Sequence, residues 1–452
     1  MSGWKHLPRW PAPRARLALV GAVAGLSLAA CSSGTSSSST GGPSSAGGAS
    51  SAGGASSTGA SYSLEVAAFS PFTGPNAPYG YFQYTGCVAA VHVINAAGGV
   101  LGHQMNCTIV DNRGEPADAV PAANNMLASS PHLVGIVDGD SGLMSATVPL
   151  FNQAHIPDLS AGGDVQFDTN TYPYFWRTTP GDDVAGQTLA AYVKFGTSFT
   201  RVAAVFANDQ AAQGNVPGLL SAAKQLGLDV VDNEAIAVGQ TTYETEVQKI
   251  LAAHPQVIVT ESDPQTGGVL LGNLKQAGWT GPIVGTSGTL GTDYDKAAIA
   301  AIGQAAYEKN FVRVIQYAQQ SGVAWDTWKT ALLASGSLVK NPADDETAIY
   351  AELPYDHTTM MALAMLASHS TDPVTFNPYI EKITQGTTVV HTFAQGAAAL
   401  AAGQTIDYVG VTGQVSFDKY HNSGGLWAAE NPVTNLPESL ISAKDIAASE
   451  GH

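Results

Sequence analysis

The fold of this chain is decided by a stretch that begins Leu64-Glu65-Val66-Ala67-Ala68-Phe69 and ends at Asn112. The opening run of apolar residues predicts a β-strand entering a core. Beyond a loop rich in Pro and Gly, small and apolar residues recur every three or four positions over residues 79–97, which predicts an amphipathic helix. Gly98-Gly99 ends that helix, and Cys107-Thr108-Ile109-Val110 predicts a second strand. This is a βαβ unit, in which the two strands run parallel.

Four pieces of this stretch follow one another at defined spacings. They are Phe69-Ser70-Pro71-Phe72-Thr73-Gly74, Tyr79-Gly80, Ile94-Asn95-Ala96-Ala97-Gly98-Gly99-Val100-Leu101-Gly102 and Asp111. In this order they resemble the opening of the leucine/isoleucine/valine-type solute-binding proteins. These are type I periplasmic binding proteins, the extracytoplasmic receptors of ABC importers. The resemblance extends over residues 62–435.

The βα rhythm continues beyond the opening unit and predicts an α/β protein with two doubly wound, mostly parallel sheets. Helical patterns dominate after residue 306, at residues 324–333 and 346–367. The resemblance implies two lobes joined by a hinge of three crossings, near Pro180, Phe311 and Asp407, and a hairpin at residues 408–418. It thus predicts a first lobe of residues 62–180 and 311–407 and a second lobe of residues 181–310 and 408–440.

Residues 1–30 have the pattern of a bacterial export signal. Four Lys or Arg residues precede an apolar run that is too short to span a membrane. The run ends Leu28-Ala29-Ala30-Cys31, a lipobox pattern, so we predict a lipoprotein signal peptide and a lipid on Cys31. The alternative is a soluble export signal with a chance cysteine. Residues 31–61 are nearly all Ser, Gly, Thr or Ala and predict a flexible tether, which places the folded body in the cell envelope, on the outer face of the cytoplasmic membrane.

The charge and the remaining cysteines limit the partners and the compartment. The chain has 19 Lys plus Arg against 36 Asp plus Glu, a net charge of −17, and loses four cations with the signal peptide. This argues against nucleic acid or an anionic membrane surface as a partner. In an oxidising compartment, Cys87 on the first helix and Cys107 on the adjacent strand predict a disulfide, although two buried thiols are the alternative.

Ligands of open α/β sheets bind where loops leave the carboxyl ends of the strands. The loops at these ends contain Tyr79, Asp138 to Gly142, Ser160 to Asp164, Ala207 to Gln210 with Asn208, Glu261 to Asp263, and Gly285 to Ser287. Ser, Gly and Asp are also the ordinary residues of turns and helix caps, which is the structural alternative for each position.

The resemblance implies an amino-acid site between the lobes, with Ser141 and the Gly162 amide on a carboxylate. Asp164 replaces an expected hydroxyl, and Ser287 replaces the acid expected opposite the ammonium group. Either Asp263 or Glu261 substitutes for that acid, or the ligand has no ammonium group. The departures predict a ligand other than a simple branched-chain amino acid. The predicted ligand-binding residues are Tyr79, Ser141, Gly162, Asp164, Asn208, Asp263 and Ser287.

The sequence does not support an enzyme. Gly139-Asp140-Ser141-Gly142 lacks a companion histidine motif, and there is no His-Glu-x-x-His, Cys-x-x-Cys or phosphate-binding loop. We predict no cofactor and no metal. The predicted function is the solute-binding component of an ABC importer, with a small polar ligand, amino acid or amide-like, and ABC permease subunits as partners. The alternatives are a ligand sensor on the same fold and a secreted serine hydrolase using Ser141.

Overall fold

The computed structural model describes residues 62–74, 76–433, 436–442 and 444–446. The predicted signal peptide (1–30), the lipid-carrying Cys31 and the tether (31–61) lie outside the described residues. Within the described ranges, no helix is both long enough and apolar enough to cross a membrane.

The first sheet is built from the opening part of the chain. Its elements are β1 (Leu64–Ser70), α1 (Ala77–Ala96), β2 (Met105–Asp111), α2 (Pro116–Ser129), β3 (Leu133–Asp138), α3 (Met144–Gln153), β4 (Asp158–Ser160) and β5 (Phe175–Arg177). All five strands are parallel, in the order β2-β1-β3-β4-β5. Leu64, Val66 and Ala68 face one core whereas Ala67 and Phe69 face another, so both faces of β1 are covered.

The second sheet follows in the chain and continues at its end. Its helices and parallel strands are α4 (Asp182–Ala191), β6 (Arg201–Ala207), α5 (Gln210–Leu226), β7 (Asp229–Ile236), α6 (Glu244–Ala252), β8 (Val257–Glu261), α7 (Pro264–Gln276), β9 (Ile283–Gly285), α8 (Thr292–Ile302), α9 (Gln304–Asn310) and β10 (Phe311–Tyr317). A π-helical turn, Tyr192–Gly196, continues α4. The strands β6 to β10 lie in the order β7-β6-β8-β9-β10.

The rest of the chain is mostly helical. It contains α10 (Val323–Ala334), α11 (Pro342–Asp345), α12 (Ile349–Ser368), α13 (Pro373–Phe376), α14 (Tyr379–Lys382), β11 (Thr388–Val390), α15 (Phe393–Ala401), β12 (Ile406–Gly410), β13 (Gly413–Gln414), β14 (Leu426–Asn431) and β15 (Leu436–Ile441). Trp328, Met361 and Phe376 share a hydrophobic core with Leu64 and Val66 of the first sheet. We therefore call the first sheet with α1–α3 and the segment from α10 to β13 the first lobe. The second lobe is α4–α9 with the second sheet, to which β14 and β15 add antiparallel strands beside β10.

The predicted fold class, two doubly wound and mostly parallel lobes, is confirmed. The two sheets repeat one topology, and the strand order reverses between β1 and β3 in the first and between β6 and β8 in the second. Such a reversal leaves a crevice at the carboxyl ends of the two strands, where open α/β sheets bind ligands.

Two of the predicted crossings are displaced in the structure. β10 begins at Phe311 and pairs with β9 and β14, so the chain returns to the first lobe only after Tyr317. The crossing predicted at Asp407 is too early, because Val415 and Phe417 still belong to the core of the first lobe. β12 and β13 form a hairpin within the stretch predicted for one, but the antiparallel pair β14–β15 was not predicted.

A disulfide joins Cys87 in α1 to Cys107 in β2, with a Cα–Cα distance of 6.1 Å. The disulfide therefore links the helix and the second strand of the βαβ unit from which the fold was inferred. It fixes the first helix to β2, the edge strand of the first sheet, within the first lobe.

Candidate functional site

A cavity of about 110 Å³ lies between the two lobes, where the strand order of each sheet reverses. From the first lobe, it is lined by the residues that follow β1 and β3. From the second lobe, it is lined by the residues that follow β6, β8 and β9. The polar side chains of its wall are Ser70, Asn76, Tyr79, Gln83, Asp140, Ser141, Thr179, Asp182, Asp209, Asn215, Glu261, Ser262, Asp263, Thr286, Ser287, Gln316 and Tyr350.

Two backbone donors at or beside the first-lobe wall are satisfied inside the protein. The Gly163 amide donates to Ser141 Oγ at 2.8 Å, and the Gly162 amide donates to Ser160 Oγ at 3.0 Å. The Ser141 hydroxyl also lies near the carboxyl group of Asp182 and acts to lower the pKa of that carboxyl. The groups that the sequence assigned to a ligand carboxylate thus already interact with protein acceptors.

Asp182 is the first residue of α4 and reaches the cavity directly after the first chain crossing. Burial raises the pKa of its carboxyl group well above the usual value, and the negative charge of Glu261 raises this pKa further. The hydrogen bond from Ser141 and the charge of Arg177 act in the opposite direction, but they are smaller effects. A carboxyl group of this chain therefore lies beside the Ser141 hydroxyl at the cavity wall.

The second-lobe wall carries two acids from the end of β8. Glu261 accepts hydrogen bonds from the Thr286 hydroxyl and from Asn215 Nδ2, the latter at 3.1 Å. Burial raises its pKa to about 7, an effect that the Thr286 hydrogen bond only partly opposes. Asp263 caps α7 through Oδ1, which accepts from the backbone amides of Gln265 at 2.9 Å and Thr266 at 3.1 Å. Its second oxygen, Oδ2, is buried and has no hydrogen-bond partner among the described residues.

Aromatic side chains form another part of the wall and join the lobes. The Tyr79 hydroxyl, on α1 of the first lobe, donates to the carbonyl oxygen of Gly288 in the second lobe. The Tyr79 and Tyr350 rings meet edge to face, with 5.7 Å between their centroids and 87° between their planes. Trp427, on β14, also lines the cavity. Burial raises the pKa of Tyr79 well above its usual value, so its hydroxyl stays protonated and remains a donor.

The cavity is strongly acidic. Five carboxyl groups line it, those of Asp140, Asp182, Asp209, Glu261 and Asp263. Among the described residues, no Lys, Arg or His side chain lies on its wall. Burial also raises the pKa of Asp140 to about 6. Loss of hydration is likewise the main effect that raises the pKa of Asp209.

Four of the predicted site residues lie on the cavity wall, namely Tyr79, Ser141, Asp263 and Ser287. The other three do not line it. The Gly162 amide is bonded to Ser160, as described above. Asp164 caps a 3₁₀ turn by accepting from the Gln166 amide at 3.0 Å, and its other oxygen accepts from Gln210 Nε2 of the second lobe at 3.1 Å. Asn208 is exposed, and its backbone amide donates to the carbonyl oxygen of Ile236 in the neighbouring strand.

Sequence reasoning missed Asp182, Tyr350 and Gln83. Asp182 lies at the start of α4 rather than after a strand, so a search of strand ends does not reach it. The available indication was its position two residues after Pro180, at a predicted crossing, because crossing segments border the crevice between lobes. Gln83 lies in the second turn of α1, four residues after Tyr79, and therefore projects from the same helix face.

No grouping of three or more His, Cys, Asp or Glu side chains suited to a metal ion is found in the part of the chain that the structure describes. Because no histidine lies on the cavity wall in that part of the chain, Ser141 has no imidazole base there.

Known proteins share this architecture and parts of this sequence. A family model described as "Periplasmic binding protein" matches residues 63–423. The leucine-, isoleucine-, valine-, threonine-, and alanine-binding protein of Pseudomonas aeruginosa is 24% identical over 331 residues, which cover 70% of this chain and 82% of that protein. The Leu/Ile/Val-binding protein homolog 3 of Brucella melitensis is 27% identical over 248 residues, which cover 52% of this chain and 64% of that protein.

A solved structure shows the same fold. The branched-chain amino acid transporter substrate binding protein LivJ from Streptococcus pneumoniae, crystallised in complex with isoleucine, has a TM-score of 0.67 and 20% identity, with 84% of this chain and 99% of that chain covered. The family match over residues 63–423 agrees with the two reversed sheets and the cavity between them. This chain therefore belongs to the type I periplasmic binding proteins, in the leucine/isoleucine/valine-binding family, whose members bind solutes and are not enzymes.

Proposed function

We propose that this protein is the lipid-anchored, extracytoplasmic solute-binding component of an ABC importer. It captures a small polar ligand, an amino acid or an amide-like compound, in the cavity between its lobes. The lobes close on the ligand by hinge motion at the three crossings, and the closed form delivers the ligand to permease subunits.

The observation that carries this proposal is the cavity itself. Polar side chains from the switch points of both sheets converge on it, so neither lobe alone contains the site. A site divided in this way couples binding to the relative position of the lobes, because a ligand that contacts both lobes stabilises the closed arrangement. Transport, rather than sensing, is favoured because LivJ from Streptococcus pneumoniae, which shares the fold, is a branched-chain amino acid transporter substrate binding protein.

Ligand binding is tested by a thermal-shift screen of the purified protein against amino acids, amides, urea-like compounds and aromatic acids. A ligand at 100 times its Kd stabilises the native state by about 2.7 kcal/mol, which raises the unfolding midpoint measurably. Hits are confirmed by calorimetry. Failure of every class to raise the midpoint contradicts the proposal.

Transport is tested separately in the source cells. Uptake of the labelled ligand is expected to fall when the gene is deleted and to recover when it is restored. A sensor on the same fold binds the ligand equally well, but its deletion leaves uptake unchanged.

A further inference from the structure

The chemistry of the cavity wall points to a narrower ligand class. We infer that the cavity selects small cations that carry N–H donors, such as a primary ammonium or amidinium group, and that it does not require a carboxylate on the ligand. This inference rests on the proposed solute-binding function and specifies what that site takes.

The first observation is the balance of charge. Five carboxyl groups line a cavity of about 110 Å³, and no Lys, Arg or His of the described chain lies on its wall. A ligand carboxylate placed there finds no opposite charge, and it meets a like charge wherever one of these carboxyl groups is ionised. A cation finds carboxyl groups on both lobes, with Asp140 on the first and Glu261 and Asp263 on the second.

The second observation is a set of buried acceptors without partners. Asp263 is 8% exposed, and its Oδ2 accepts no hydrogen bond from any described residue. Gln83, from the opposite lobe, is 2% exposed, and its Oε1 is likewise unpartnered in the described structure. A buried acceptor left without a donor costs about 1–3 kcal/mol, so a donor supplied by a ligand is favoured at both points.

The third observation concerns the donors on the same wall. The Gly163 amide donates to Ser141 Oγ at 2.8 Å. The Tyr79 hydroxyl is bonded to the Gly288 carbonyl. These two donors are therefore engaged. The Ser262 hydroxyl on the same wall is buried without a partner among the described residues, and it can either donate to or accept from a ligand.

The aromatic side chains fit the same ligand. Tyr79, Tyr350 and Trp427 line the cavity, and the faces of such rings attract cations. A quaternary ammonium group would use the rings but would leave the oxygen of Asp263 without a donor. The cation is therefore one with N–H groups.

Cation binding is expected to release protons. Burial raises the pKa of Glu261 to about 7, and the groups facing it are Thr286, Asn215, Asp209, Asp182, Tyr79 and Tyr350. Below that pKa the cation must displace a proton from a neutral carboxyl group, so affinity rises with pH between pH 5 and 8. An alkylamine, which titrates near pH 10, stays charged throughout and is the suitable probe.

The test compares compounds that share a skeleton and differ in charge. On a branched skeleton these are 3-methylbutylamine, leucine, 4-methylpentanamide and 4-methylpentanoate. Series on methyl and benzyl skeletons provide an amine, an amino acid, an amide and a carboxylate of other sizes. Each series also includes the N-trimethylated form of its amine. Calorimetry on the purified protein is expected to show the primary amine binding at least about tenfold more tightly than the matched carboxylate, amino acid and trimethylated compound.

Two variants test whether the acids are responsible. Glu261→Gln and Asp263→Asn keep the size and an acceptor oxygen, and each is expected to weaken amine binding by about tenfold or more, the range of close charge pairs. Binding of the neutral amide is expected to change less than twofold. Glu244→Gln, at an exposed glutamate of α6 away from the cavity, is the matched control and is expected to change neither.

The outcomes separate this inference from the proposed function. If an amino acid or a carboxylate binds most tightly, the cation inference is overturned while the solute-binding function stands. If the variants weaken all charge classes equally, the acids act only on structure and the inference is again overturned. If no compound of any class binds, both the inference and the proposed function fail.

Discussion

Gln210→Ala is expected to weaken ligand binding although Gln210 does not line the cavity. Gln210 Nε2, at the start of α5 in the second lobe, donates to Asp164 Oδ2 in the first lobe at 3.1 Å. Because this bond joins the lobes, the open arrangement cannot keep it. Its loss therefore shifts the equilibrium away from the closed form that holds the ligand.

The size of the effect follows from the bond. The acceptor Asp164 is buried but the donor Gln210 is exposed, which weakens the bond, so the expected net contribution is about 1 kcal/mol. This corresponds to about a fivefold higher Kd. Calorimetry with the tightest compound of the screen measures it, and small-angle scattering is expected to show a larger mean radius for the variant at subsaturating ligand.

Gln213→Ala is the matched control. Gln213 lies on the same helix, and its Nε2 donates to the Ala207 carbonyl at 2.9 Å, within one lobe. This variant is expected to lose a similar amount of stability without a change in Kd. If the Kd of Gln210→Ala is unchanged, or if both variants weaken binding equally, the role of the Asp164–Gln210 bond in closure is refuted.

Three further predictions concern the anchor, the disulfide and pH. Cys31→Ala is expected to release the protein into the medium or leave it unprocessed, as measured by cell fractionation. Mass spectrometry of protein purified from the envelope is expected to find Cys87 and Cys107 without free thiols, and replacing both by Ala is expected to cost about 3 kcal/mol for a 20-residue loop. The thermal midpoint is expected to be higher at pH 5 than at pH 8. Burial raises the pKa of Asp138 and Glu430 to about 7, so the native state binds protons that the unfolded state has already released, and stability falls as the pH rises from about 4 to 7.

Each of these has a contrary result. Membrane retention of a processed Cys31→Ala protein counts against lipidation. Two alkylatable thiols in the native protein exclude the disulfide in the envelope. A midpoint that rises from pH 5 to pH 8 means that other carboxyl groups, with lowered pKa values, dominate the pH dependence.

The opening βαβ unit could be predicted because its pattern is local. The residues of β1 are apolar on both faces, and the helix period of α1 begins after a loop rich in Pro and Gly. β10 was missed because Arg313 interrupts its apolar run. Arg313 is fully buried and pairs with Asp295 of α8 and Glu430 of β14. Partners that distant in sequence are brought together only by the tertiary fold, so no local pattern reveals that the arginine belongs inside.

The same distinction applies to the site. The position of Ser141, Asp263 and Ser287 at the cavity could be predicted because the carboxyl ends of strands are recognisable from the sequence. Asp164 lies at such an end too, but the Gln166 amide and Gln210 engage both its oxygens and direct it away from the cavity. Asp182 reaches the wall through a chain crossing. Neither the engagement of Asp164 nor the position of Asp182 can be predicted from residue spacing alone.

The packing of α10–α15 on the first sheet affects how the chain folds as it is exported. A chain threaded through a membrane from its N-terminus delivers β1–β5 first, yet the core on one face of that sheet includes Trp328, Phe376 and Phe417. These residues emerge only after the whole parallel part of the second sheet has crossed. Until then only α1 covers that face of the first sheet, and the remaining apolar surface is expected to aggregate or recruit chaperones. We expect a chain truncated after Tyr317 to be insoluble, although it contains every parallel strand of both sheets.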